Sequence, residues 1–434
     1  MKKGLLFLFV ILIASISAYA NGNEEGAEVI TPVDMSKEYV ITIGTWGEEV
    51  ADAYRNALAS DEFTSQFPNI TVEFMTADFS SHHTRAITTI AAGEATNEIE
   101  MLEVAQVAKF IEGGGLQRLD VAPFNGLEVG KDLAEFSIVN ATAKDGSLVA
   151  FPVDIAPAVL FYRQSIVDAA GVDLRNLQSW DEFIQAGIEL TKDLDGDGII
   201  DQYAIPHASE VSNVPLNGGM SGWFNAEGSP LVPKEKFMLA LNLVKSIREA
   251  GIDADLGTWA PPWLQSFGDG TVAATINGAW FGGSLETYIA PDVAGDWRVT
   301  KIPGNSYASM GGSYMSIPKA VPADKKAAAW EVIKFLTTSE SAQLSTFREI
   351  SSFPVLTTLY DHPVMDEEVP YFGGQKVRQI FAEVAANMPA DPVSEYDPIA
   401  RAIFGNYTTM VLVDGMPTEE AYNEILKEVI ALAD

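Results

Sequence analysis

The chain has 434 residues, long enough for two domains, with 47% hydrophobic and 20% charged residues, the balance of a folded globular protein. Its formal net charge of −33 repels nucleic acid and offers no basic stripe for phosphate, which leaves neutral or cationic ligands, or plain solubility in an extracellular fluid. There is no cysteine, so disulfides, thiolate metal sites, cysteine nucleophiles and a lipidated N-terminal cysteine are excluded.

The N-terminus reads as an export signal. Lys2 and Lys3 precede an apolar run from Leu5 to Ile13, and Ala18-Tyr19-Ala20 supplies a small-x-small cleavage pattern. The run is too short for a permanent span, and no later stretch reaches about 18 uninterrupted apolar residues. The expected product is a soluble, non-lipidated, monomeric chain in a bacterial periplasm, starting near Asn21, with a polar and disordered leader to Ser36.

Tyr39 to Trp46 alternates as a strand. A helix is predicted from Glu48 to Phe67, stopped by Pro68, and a second strand from Ile70 to Phe74. Ser80 or Ser81 can cap a helix to Ala92, with Gly93 as its stop, and Glu98 to Val104 reads as a weak strand. This rhythm predicts an α/β lobe with a mostly parallel sheet. Val149 to Gly171 holds two short apolar runs around Pro152 and Asp154, which suits a chain leaving one lobe for another, with Asp154 as an acid facing a cleft.

Beyond this crossover, Ser179-Trp180-Asp181-Glu182 is a capping box opening a helix to about Leu194. Pro206 to Pro230 is a long irregular stretch of the kind that carries function, and Pro233 to Ala250 is a helix. Val272 to Ile276 is an apolar strand, and Trp297 to Ile302 reads as a strand returning to the first lobe. Ala323 to Leu336, Glu340 to Phe347, Pro392 to Val413 and Thr418 to Leu432 are the remaining predicted helices.

Eight tryptophans divide by context. Trp180, Trp297 and Trp330 fall where packing is expected. Trp46, Trp223, Trp259, Trp263 and Trp280 each sit beside Gly, Pro or Asn at the edge of an element, where a flat ring can stack on the C–H face of a sugar. The acidic candidates Glu48, Glu49, Asp78, Glu103 and Asp154 fall near strand ends, where ligands of open α/β sheets bind. Carboxylates there accept strong hydrogen bonds from hydroxyls.

Asp193, Asp195, Asp197 and Asp201 match positions one, three, five and nine of a calcium loop, with Gly198 at six. Ala204 stands where the bidentate Glu belongs. The segment is either a structural calcium site completed from elsewhere or a tight acidic turn without metal. His82 and His83 are adjacent, a spacing at which helical side chains diverge. Neither a GxSxG elbow nor a phosphate-cradling glycine loop is present, although a pair of hydrolytic carboxylates stays open among so many acids.

The chain resembles the family 1 extracellular solute-binding proteins of ABC importers, of which maltose-binding proteins are the best-known members. The resemblance runs in order through ITIGTW, FTSQFPNITVEF, AAGEATNEIEMLEV, AFPVDIAPAVLFYRQ, AAGVDLRNLQSWDEF, DGTVAATINGAW, KKAAAWEVIKFLTTSESAQ and SSFPVL. It implies a two-lobed periplasmic-binding-protein fold of type II with a multi-segment hinge, ligand captured between the lobes, delivery to a membrane permease, and no catalysis. Residues 37–149 with 298–322 would form one lobe and residues 150–297 with 323–434 the other. The resemblance points to Trp46, Glu103, Asp154, Trp280, Gly311 and Gly312 as cleft positions, and to Tyr371. The family's usual Pro-Asp after the AAGE-like turn is Thr96-Asn97 here. The reading at this level is a carrier of a neutral sugar or oligosaccharide. Its alternatives are a secreted glycosidase or lyase, or the same fold holding a polyamine.

Overall fold

The computed structural model describes residues 30–433 except 112, 113, 176, 220 and 226. The predicted export signal and the start of the predicted leader lie outside the described residues. The strands are β1 (Tyr39–Trp46), β2 (Ile70–Ala77), β3 (Ile99–Glu103), β4 (Phe151–Pro152), β5 (Asp154–Ile155), β6 (Ala158–Arg163), β7 (Ala274–Gly278), β8 (Trp297–Thr300), β9 (Ser313–Ser316) and β10 (Phe353–Pro354). They form a five-stranded sheet in the order β2-β1-β3-β9-β4, a three-stranded sheet β7-β6-β8, and a two-stranded ladder β10-β5.

In the first sheet β1 pairs in parallel with β2 and β3, as the β-α-β-α rhythm predicts, but β9 and β4 join antiparallel, so the sheet is mixed. Ile41 and Ile43 point into the core, whereas the edge strand β2 turns Thr71, Glu73 and Met75 outward. The central strand β3 is buried along Ile99–Leu102, and this includes Glu100. Gly44 lies opposite Glu100 in the ladder, where a Cβ would come within 2.3 Å of the carboxylate. The acid is further held by Asn97 Nδ2 at 2.7 Å. A bare glycine thus makes room for a buried acid, and Glu100 faces this core, not a cleft.

Local signals set several element ends as expected. Ser179 Oγ accepts from Glu182 N at 3.2 Å, while Glu182 reaches back to Gln178 N at 2.6 Å. Gly171 closes the helix Gln164–Ala170 in the left-handed conformation, φ 71°. The long helix predicted over 48–67 is two, Glu48–Leu58 and Asp61–Gln66, because Ser60 starts the second by accepting from Phe63 N.

Two assignments of chain to lobe differ from expectation. β8 does not return to the first lobe; it pairs antiparallel with β6 in the second sheet, and the return comes at β9. The helices Ala323–Thr338 and Glu340–Ile350 pack on the helix Glu48–Leu58 and on the first sheet, not in the second lobe. Trp330 fixes the first of them, its ring edge-on to Phe151 at 4.9 Å and to Phe124 at 5.7 Å.

The two sheets are linked at the place the Pro-Asp kink marks. Asp154 is not a free ligand-facing acid. Its Oδ1 accepts from Ser313 N at 2.7 Å and its Oδ2 from Ser352 Oγ at 2.9 Å. One carboxylate therefore ties the β4–β6 crossover to the start of β9 and to the approach to β10. Gly311 and Gly312 run alongside with φ of 116° and 126°, values a side chain would strain. Replacing Asp154 by Ala removes charged hydrogen bonds from this junction and leaves the Ser313 N–H without its acceptor. Urea unfolding at neutral pH is expected to show a loss of about 2–4 kcal/mol, and a smaller loss for Asp154→Asn.

Candidate functional site

The parallel strands β1, β2 and β3 end along one edge of the first sheet, so Trp46, Asp78 and Glu103 emerge side by side. Trp46 is half-buried, with its ring 5.4 Å from Phe79 and 4.9 Å from His83. The adjacent histidines form the floor beneath it. His83 Nδ1–H donates to Phe79 O at 2.8 Å, and its Nε2 accepts from Glu103 N at 3.1 Å. His82 Nε2–H donates to Met101 O at 2.6 Å, and its Nδ1 accepts from Arg85 at 3.2 Å. Every ring nitrogen is engaged, so the pair holds no lone pair for a metal. Burial pushes the His83 pKa down to about 4.

Glu103 stands at the mouth of this edge. Its Oε2 caps the short helix Val104–Val107 by accepting from Ala105 N at 2.9 Å. Its Oε1 is buried with no hydrogen-bond partner among the described residues. Burial raises its pKa to about 7, against the opposing pull of Arg401. Arg401 comes from the helix Asp397–Val413, which packs across onto the Val104–Val107 turn. The sequence reading missed Arg401. A single cation in the apolar run Ile399 to Phe404 of a strongly acidic chain was the available signal.

Asp78 and Glu48 have local duties. Asp78 caps the helix Phe79–Ala91, accepting from Ser81 N at 2.9 Å. Glu48 is exposed in the first turn of its helix and accepts from Thr76. Neither carboxylate is shaped into a site by its neighbours.

On the other side of the crossover, Trp280 follows β7 and donates its Nε1–H to Met310 O at 2.9 Å. Trp259 lies against it, ring centroids 6.0 Å apart and planes 16° from parallel. Trp259 remains 49% exposed and holds a left-handed backbone, φ 65°. Together the two indoles form a wall beside the crossover.

Three other candidates are core residues. Trp263 is fully buried among Phe267 and Phe281. Trp223 is buried against Phe237 and Phe404, with its Nε1–H donating to Gly219 O at 2.9 Å. Tyr371 is buried, and its hydroxyl donates to Leu285 O and Ala290 O. Proximity to Gly or Pro marked an element's edge correctly but did not reveal which way each ring turns.

The acidic loop folds as a chain of side-chain-to-backbone turns. Asp193 accepts from Gly196 N and Gly198 N, Asp195 from Asp197 N, and Asp197 from Ile199 N. The three carboxylates can bring one oxygen each within 4.8 Å of one another, the arrangement of the first half of a calcium loop. Asp201 instead accepts from Leu194 N at 2.7 Å, and the twelfth position, Ala204, is buried without a carboxylate.

The model of bacterial extracellular solute-binding proteins matches residues 59–371. The chain belongs to that family. An arabinooligosaccharide-binding protein of Halalkalibacterium halodurans is 22% identical over 387 residues, covering 85% of this chain and 83% of its own. The arabinooligosaccharide-binding protein of Bacillus subtilis is 21% identical over 329 residues, 73% of this chain and 71% of its own. Solved structures share the solute-binding fold. A B. animalis subsp. lactis ABC-transporter-associated binding protein in complex with beta-1,6-galactobiose superposes with a TM-score of 0.73 at 21% identity, covering 92% and 98% of the two chains. Maltose-bound T. maritima MalE3 superposes at 0.72 and 21% identity, covering 91% and 99%. These family members are binding proteins, and among the described residues no helix is long and apolar enough to cross a membrane.

The buried titrating groups of this solute-binding protein give its stability a definite pH dependence. Burial raises Glu100, Glu103, Glu210 and Asp397 to about 7, from ordinary values of 3.8 to 4.5 in the unfolded chain. Their contribution is fully present below the unfolded values and is lost as pH rises through about 7. His82 and His83 act oppositely, because their folded values are lowered, and weaken the fold only as pH falls below about 6.5. Lower pH also relieves the repulsion of a net −33. The urea midpoint is therefore expected to be higher at about pH 6 than at about pH 8. A midpoint that rises from about pH 6 to about pH 8 would contradict the assignment of these acids as buried and protonatable.

Proposed function

We propose that this protein captures a neutral oligosaccharide between its two lobes and hands it to an ABC importer, performing no chemistry on it. The carrying observation is the Trp259–Trp280 wall, an indole pair kept half open to solvent at the crossover between the sheets. Parallel aromatic faces suit the C–H face of a sugar ring, and the edge that carries Trp46 supplies a second aromatic surface. The named relatives bind arabino-oligosaccharides, which makes these the first ligands to test. A sugar that contacts both lobes binds a closed arrangement better than an open one, and this difference in affinity is what would drive closure.

Asp154 and Asp78 favour a neutral ligand over a polyamine. Both Asp154 oxygens are taken by protein donors, and Asp78 serves as a helix cap. The same engagement of Asp154 removes it from any pair of hydrolytic carboxylates, which supports carriage over glycoside cleavage. Export through the N-terminal signal, release as a monomer without a lipid anchor, and recognition by permease subunits complete the proposal.

Titration of the purified protein with arabino-oligosaccharides is expected to change tryptophan emission with a dissociation constant near the micromolar range, about −8 kcal/mol. Trp259→Ala should weaken binding about tenfold or more. The sugar should be recovered intact. Silence towards arabino-, galacto- and malto-oligosaccharides alike would refute the ligand class, and released shorter products would refute carriage without chemistry.

A further inference from the structure

The carboxylate of Glu210 is enclosed behind the tryptophan wall, in the turn Ala208–Val211, and none of the described ion pairs includes it. Its Oε1 accepts the Nε1–H of Trp263, and its Oε2 accepts from Thr275 Oγ1 at 3.2 Å. Trp263 belongs to the helix Pro261–Asp269, and Thr275 to β7, the strand that leads directly to Trp280. One acid thus joins the two elements from which the wall is built.

The connection reaches the surface in one further step. The Trp263 ring lies 5.0 Å from Trp259, which in turn stacks on Trp280. Trp259 is a bulky residue in the left-handed region, a conformation that is strained for a residue with a Cβ. Such a backbone persists only where its surroundings hold it, and the half-exposed ring gains little from burial in return. The rings on either side do the holding, and the inner one is fixed by Glu210. A carboxylate is a stronger acceptor for an indole N–H than a neutral oxygen, and the buried N–H would be orphaned without it.

We propose that Glu210 is a positioning residue for ligand capture: by pinning the Trp263 indole and β7 together, it holds Trp259 in the orientation in which the Trp259–Trp280 pair meets a sugar ring. This rests on the oligosaccharide reading for its purpose, but not for its geometry.

The test uses the full-length purified protein and two readouts. The first needs no ligand: acrylamide quenching of tryptophan emission, with Trp259→Phe identifying the accessible component. Acrylamide is neutral, so the chain's charge does not bias it. The second is affinity for arabino-oligosaccharides. Glu210→Leu removes the acceptor, Trp263→Phe removes the donor while keeping a ring, and Glu210→Gln restores an acceptor oxygen. Glu210→Leu and Trp263→Phe are expected to change the quenching of the Trp259 component and weaken binding about tenfold, with Glu210→Gln within about threefold of the parent. Parent-like quenching and affinity in folded Glu210→Leu would overturn the proposal. Loss of folding in both Glu210→Leu and Trp263→Phe would overturn it as well, by assigning the acid to stability alone. If the parent binds no oligosaccharide, the ligand class fails by itself, and the quenching arm still decides the role of Glu210.

Discussion

The stretch from Ser309 to Ser313 is the constraint on which the junction of the two sheets depends. Met310 N donates to Ala156 O, and Met310 O accepts the Trp280 indole N–H. Two residues on, Gly312 O accepts from Val104 N, at the start of the turn that Glu103 caps. Ser313 N then donates to Asp154. Within five residues one extended segment is bonded to the first crossover, to the aromatic wall and to the acidic edge of the first sheet. The positive φ of Gly311 and Gly312 is what lets the backbone thread this gap.

Two walls of different character meet there. The first-lobe edge is built on neutral histidines whose nitrogens are spent on three backbone groups and on Arg85, so that Trp46 and Glu103 share one rigid support. The second-lobe wall is built on rings, with Trp263 and Glu210 behind and Trp259 and Trp280 in front. In both cases a polar group hidden beneath an aromatic one sets the position of the group that solvent reaches. The buried acids are costly unless protonated or hydrogen-bonded, and their raised pKa values record that cost.

The large negative charge has less to do with the cleft than the composition suggests. Of the candidate acids, Asp78 caps a helix, Asp154 ties crossovers, and Asp193, Asp195 and Asp197 fold their own loop. Asp78 and Asp154, engaged in this way, offer little to a cationic guest.

What the sequence by itself determined is the local order and the fold. Ser179 and Gly171 announced their helix ends, the alternation of β1 announced a strand, and the ordered motifs announced a two-lobed solute-binding fold. These are interactions among neighbours a few residues apart, and pattern suffices to read them. The tertiary structure decided which tryptophans face solvent, where β8 pairs, and what Asp154 does. Asp154 meets partners 159 and 198 residues away, and Trp263 meets Glu210 across 53. A ring beside a glycine reads the same whether it turns outward or inward, because burial is fixed by packing between distant segments that no local window contains.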